Sequence, residues 1–124
     1  MKRLADPDAG ERVLAAFELF GQPLSETLLN AIRSLLSDTN PQVKDMAGQT
    51  LGEAGDLWSL PLMILALASG PPSEFRGTAW GLARLAVLRP EARTLARDAL
   101  VQYHARARGR TRAHASDLLG GLPA

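Results

Sequence analysis

The 124-residue chain has no cysteine, and only 5% of its residues are aromatic. Without cysteine it cannot form a disulfide, a thiolate-bound zinc site or a cysteine nucleophile. Its longest nearly apolar stretch, residues 57–68, is shorter than the roughly 18 residues that a membrane-spanning helix needs. The first residues lead into an acidic, proline-containing segment rather than an apolar signal core. We therefore expect a single cytoplasmic domain with no membrane association.

Alanine, leucine and arginine dominate the sequence, whereas β-branched and aromatic residues are few. The three common residues are among the best helix formers. Glycine and proline recur at intervals that divide the chain into pieces of three or four helical turns. This pattern predicts an all-α fold with seven helices and no strand. We expect the helices at residues 8–20, 24–37, 41–54, 57–69, 73–88, 90–105 and 109–120.

One short pattern recurs in the odd-numbered helices: a basic residue, an alanine three positions later, and a small or apolar residue four positions further on. Its alanines (Ala15, Ala47, Ala79 and Ala115) are 32, 32 and 36 residues apart. Alanine at such a position allows neighbouring helices to approach closely. Because a single helical hairpin cannot bury its apolar face alone, successive hairpins are expected to stack. The units predicted in this way span about residues 6–37, 38–70, 71–105 and 106–124.

The second unit carries the clearest motif. Residues 40–52 read NPQVKDMAGQTLG, and Gly55-Asp56 and Leu60-Pro61 follow. This order of Pro, Val, a basic residue, Ala, Leu-Gly, a Gly-Asp turn and Leu-Pro resembles the short bacterial form of the HEAT repeat. The other units match it more loosely. The resemblance implies an α-solenoid of about three and a half HEAT-like hairpins, whose second helices line a concave binding face. It implies no enzymatic activity.

The second helix of this unit is apolar on two opposite faces. One of them carries Trp58, Leu62 and Leu65. A shift by the 32-residue period places this stripe on polar positions of the first unit, including Glu26 and Arg33. The stripe is therefore expected to face solvent, where an apolar patch usually marks a contact surface. The alternative is a middle helix that is buried all round.

The second helix of the third unit is expected to bury Leu95 and Tyr103 on one side. Arg93 and Arg97 follow one flank of the same helix. We predict that these two arginines form the charged flank of a partner-binding site built on Trp58, Leu62 and Leu65, because protein interfaces concentrate energy in aromatic and arginine anchors.

Arginine is concentrated in the last third of the chain. Residues 1–83 carry six basic and ten acidic side chains, whereas residues 84–124 carry eight and three, so the net charges are about −4 and +5. Such a cluster is the usual footprint of nucleic-acid binding, although no aromatic residues alternate with it. An acidic protein surface, or arginines that are solvated or paired within the chain, are the alternatives. The candidate contacts are Arg89, Arg106, Arg108 and Arg110.

A catalytic or metal site has little support in the sequence. His104 and His114 are on separate predicted helices, and a third metal ligand is missing. Ser25 has no neighbouring histidine that would make it a nucleophile, and it is typical of a helix start. Asp6 and Asp8 are likewise expected to cap the first helix. We therefore expect no enzyme, no cofactor and no bound metal.

These observations predict a non-enzymatic protein-binding adaptor or assembly module. The alternative function is binding of a nucleic-acid backbone through the arginine-rich C-terminal third. Leu118, Leu119 and Leu122 have no following helix to cover them. The C-terminal end is therefore expected either to fold back onto the third unit or to associate with another copy or a partner.

Overall fold

The computed structural model describes residues 2–124. Within this range the chain forms seven α-helices and no strand, which confirms the all-α prediction. Short 3-10 turns at Lys2–Ala5, Leu57–Ser59, Pro72–Glu74 and Pro90–Ala92 precede α1, α4, α5 and α6, respectively. The helices are α1 (Ala9–Glu18), α2 (Glu26–Leu35), α3 (Pro41–Glu53), α4 (Leu60–Leu67), α5 (Arg76–Leu88), α6 (Arg93–Arg106) and α7 (Gly109–Gly120).

Side-chain caps fix several of the helix starts. The Ser25 hydroxyl accepts the backbone N–H of Leu28 at 3.2 Å, as expected for the residue before α2. Asn40 caps α3 in the same way, and a proline follows it in the first turn. The expectation for α1 is wrong in detail. Asp8 precedes this helix but makes no side-chain capping bond, and the Asp6 carboxylate accepts the N–H of Asp8 instead.

The odd-numbered helices pack on one another in chain order, α1 on α3, α3 on α5 and α5 on α7, and the contact between α3 and α5 is the most extensive. The even-numbered helices cover them: α2 packs on α3, α4 on α5, and α6 on both α5 and α7. The pattern alanines occupy these contacts, since Ala15 is 6% exposed and the other three are fully buried.

Glycines bring α3 and α5 into direct backbone contact. A Cβ atom added to Gly52 would lie 2.3 Å from the carbonyl oxygen of Gly81, and one added to Gly81 would lie 2.3 Å from that of Gly48. No real side chain tolerates such distances, so only glycine fits at this crossing. A further glycine, Gly55, ends the segment after α3 with a φ of 67°, which lets the chain turn sharply toward α4.

The C-terminal helix folds back on the rest of the chain. α7 packs against α5 and α6, and Leu118, Leu119 and Leu122 are partly buried against the main core. This is the first of the two outcomes expected for the C-terminal end. None of the helices in residues 2–124 combines the length and apolar character that a bilayer-spanning segment requires.

Candidate binding surface

Helix α4 and the turn before it expose a large apolar surface. Trp58 is 82% exposed, Leu65 66% and Leu62 36%. On the opposite side of α4, Met63 and Leu67 are almost completely buried. The structure therefore excludes the alternative that this helix is buried all round. We refer to Trp58, Leu62 and Leu65 as the Trp58 surface.

A buried ion pair holds the turn that carries Trp58. Both carboxylate oxygens of Asp56 accept hydrogen bonds from Arg33, at 2.7 and 2.6 Å, and the Ser59 hydroxyl donates to the same carboxylate at 2.6 Å. Burial alone would raise the pKa of Asp56, but these hydrogen bonds and the charge of Arg33 hold it below its usual value. Because Trp58 lies between Asp56 and Ser59, these bonds hold the backbone segment that carries it.

A cleft of roughly 560 Å³ adjoins Trp58, between α2 and the loop that follows α3. Arg89 also lines this cleft. Its guanidinium donates to the Gly55 carbonyl at 3.4 Å and is 3.6 Å from Glu91, and 43% of its side chain remains exposed. Arg89, which the sequence suggested as a nucleic-acid contact, thus lies beside the Trp58 surface.

Arg93 and Arg97 do not flank the Trp58 surface. Arg93 donates to the carbonyl of Ala86 on α5 at 3.0 Å, and Arg97 donates to the carbonyl of Pro123 near the C-terminus. The side of α6 that faces α4 carries Ala99 and Gln102 instead, next to Ile64 and Leu67. The predicted pairing of these arginines with the apolar stripe is therefore not present in the structure.

The prediction for Leu95 of α6 is wrong. It was expected on the buried side, but it is 54% exposed, whereas Tyr103 is fully buried as expected. In the helical register it shares a flank with Ala99 and Gln102, the flank that faces α4. Leu95 therefore extends the apolar character of the surface from α4 toward α6.

The remaining candidate arginines lie around the connection between α6 and α7. Arg106 ends α6 and donates to the carbonyls of Leu67 at 3.1 Å and Gly70 at 3.5 Å, so it helps to cap the C-terminus of α4. Arg108 precedes α7 and Arg110 lies in its first turn, and both are exposed. The three lie at the end of α6 and the start of α7, and Arg106 also contacts the end of α4.

The two histidines make separate contacts. His104 Nε2 lies 2.9 Å from the Ser116 hydroxyl, and His114 Nε2 lies 3.3 Å from the carbonyl oxygen of Arg76. Within residues 2–124, no three side chains of the types that bind metals are close enough to hold an ion together.

Asp45, which no sequence motif singled out, links two units. From α3, its carboxylate accepts the backbone N–H groups of Gly77 at 3.2 Å and Thr78 at 2.7 Å, and the Thr78 hydroxyl at 2.9 Å. It therefore caps α5, whose own preceding residue, Phe75, makes no side-chain cap. Burial raises the pKa of Asp45 despite these bonds. The available signal is spacing, because Asp45 and Gly77 are one 32-residue repeat apart.

Comparison with known proteins adds no relative from which a function could be transferred: no protein-family model matches the chain, and no curated protein matches it.

Proposed function

We propose that the chain is a non-enzymatic protein-binding adaptor or assembly module that holds its partner at the Trp58 surface. The observation that carries the proposal is the 82% exposure of Trp58 beside Leu62 and Leu65. Aromatic side chains that become buried at an interface commonly provide most of its binding energy. The Arg33–Asp56 pair already orders the turn that carries Trp58, so binding does not have to order this backbone.

The proposal includes a HEAT-like α-solenoid as the scaffold. Two kinds of contact support it. The pattern alanines at intervals of 32, 32 and 36 residues are buried where the odd-numbered helices meet. In addition, the basic residue of the pattern makes an equivalent contact in the first two units: Arg12 pairs with Asp38 after α2, and Lys44 donates to Ser69 after α4. We also propose a cytoplasmic location, which cell fractionation would test.

The experiment compares two matched double variants for capture of partners from nuclease-treated native lysate. Trp58→Ser/Leu62→Glu should abolish capture, because it removes the aromatic anchor and places a charge beside it. The control, Phe17→Ser/Leu14→Glu, makes the same kind of change on α1, where Phe17 is 59% and Leu14 48% exposed. Both variants should keep the wild-type circular dichroism spectrum, since the replaced side chains are exposed. Equal capture by the two variants would rule out the Trp58 surface as the binding site.

A further inference from the structure

Five exposed arginines lie at one end of the molecule, which we call the basic end. Arg76 is the first residue of α5 and Arg106 is the last residue of α6. The other three are at the start of α7. The basic end consists of Arg76, Arg106, Arg108, Arg110 and Arg112.

Parallel packing of α5 and α7 brings these residues to the same end. His114 of α7 contacts the carbonyl oxygen of Arg76 at the start of α5, while Leu118 of α7 lines a groove with Trp80, one turn along α5. The two helices therefore run in the same direction. Since α7 begins five residues before His114, its first turn projects about 7 Å beyond the start of α5.

Tyr103 connects the end of α6 to the turn before α5. Its hydroxyl donates to the Pro72 carbonyl at 2.6 Å, in that turn. Burial and the charge of Asp45 raise the pKa of Tyr103 to about 12, and the charges of Arg76 and Arg106 act against that rise. The end of α6, which carries Arg106, therefore lies beside the turn that leads into α5 at Arg76.

The basic end carries more positive than negative charge. Among residues 2–124, none of the ion pairs involves any of its five arginines. Two carboxylates lie nearby: Asp45 accepts the N–H groups at the start of α5, and Glu74 precedes Arg76 by two residues. Five arginines against these two carboxylates leave a local excess of positive charge in a chain whose net charge is only +1.

The chemistry of this surface favours a phosphate backbone over a protein. None of the exposed large apolar side chains of the described chain belongs to residues 74–76 or 106–112, so the surface lacks the aromatic anchors that accompany arginine in protein interfaces. Proteins that bind single strands stack bases on aromatic rings, but Tyr103 is fully buried. Arginine pairs well with phosphate, and a duplex presents one phosphate charge per roughly 1.7 Å.

We propose that the basic end binds the phosphate backbone of a nucleic-acid duplex without reading its base sequence. This activity uses residues apart from the Trp58 surface, so either proposal can fail while the other stands. It also revises the sequence-based alternative. Arg89 is not part of the duplex-binding surface, whereas Arg76 and Arg112 are.

The test measures binding of a labelled DNA duplex of about 20 base pairs by fluorescence anisotropy at several KCl concentrations. Five phosphate contacts predict a slope of about −4.5 for log affinity against log salt, so doubling the salt should weaken binding about 20-fold. In the Arg108→Gln/Arg110→Gln variant the slope should become shallower, at about −2.7. Doubling the salt should then weaken binding only about sixfold.

The control variant, Lys2→Gln/Arg3→Gln, loses the same charge near α1 and should keep the wild-type slope. Circular dichroism should show both variants folded, since all four side chains are exposed. The proposal is overturned if the wild type shows no salt-dependent duplex binding or if the two variants lose affinity equally. Tighter binding of polyglutamate or of a single strand of equal length would overturn it as well.

Discussion

The crossing of α3 and α5 predicts that Gly52→Ala destabilises the protein. An added Cβ atom would lie 2.3 Å from the carbonyl oxygen of Gly81 and 2.4 Å from its Cα atom. The atoms that the added methyl group meets belong to the backbone of Gly81, so no side-chain rotation can relieve the clash. The helices would have to separate by about 1 Å, which reduces the dispersion attraction along their whole contact by roughly a quarter to a half.

The expected loss is about 3 kcal/mol of unfolding free energy, at the upper end of the range for overpacked cores. The higher helix propensity of alanine offsets at most about 1 kcal/mol of this loss in unfolding free energy. For a chain of this length we expect the thermal midpoint to fall by about 6–12 °C. Thermal and urea unfolding followed by circular dichroism would measure both quantities.

Gly120→Ala is the matched control for this prediction. The same methyl group is added at the end of α7, where nothing lies within 4 Å of the new atom. Its stability should stay within about 0.5 kcal/mol of the wild type, as for other surface substitutions. If Gly52→Ala proves as stable as Gly120→Ala, the two helices do not meet backbone to backbone as described.

Two further predictions concern stability. Ala47→Leu should cost about 1–3 kcal/mol of unfolding free energy, because Ala47 is fully buried where the odd-numbered helices meet. Thermal melts showing no loss would contradict the repeat alignment. Asp56→Asn should cost roughly 1.5–3 kcal/mol at neutral pH, since it weakens the paired bonds to Arg33. Because the folded pKa of Asp56 is lowered from 3.8, its contribution is present above that pH and is lost as the pH falls further. Urea unfolding at neutral and acidic pH should show that the variant loses less unfolding free energy on acidification than the wild type does.

The helices could be predicted from sequence because glycine and proline mark their ends directly. Each of the seven predicted segments matches one α-helix, and only α6 extends beyond its segment, by one residue. Their starts were less accurate where a 3-10 turn precedes the helix, as at Leu57–Ser59 before α4. Composition and periodicity do not distinguish such a turn from the first turn of an α-helix.

The exposure of Trp58 could be predicted because its repeat equivalent, Glu26, is polar. Periodicity within α6 was less informative. It identified the side of Tyr103 as buried, but it could not show which neighbour lies along each flank. For this reason Leu95 was wrongly expected to be buried, and Arg93 was assigned to the α4 side instead of the α5 side.

Contacts between units were hardest to foresee. Asp45 caps α5 only because the two helices lie in one particular register, and an aspartate within a helix is otherwise an ordinary surface residue. The role of Gly81 likewise cannot be recognised from its own helix. Its role depends on Gly48 and Gly52 of another helix, and no local pattern links residues 29 or more positions apart.

The central claim, that a partner covers the Trp58 surface, is tested most directly by the solvent accessibility of Trp58 itself. A Trp80→Phe variant leaves Trp58 as the sole tryptophan, and phenylalanine keeps an aromatic ring beside Phe20. Acrylamide quenching of its fluorescence should be strong in the free protein, because Trp58 is 82% exposed. In the complex purified with a captured partner, the account predicts that quenching falls several-fold and the emission shifts to the blue. Equally strong quenching in the free and bound states would contradict it.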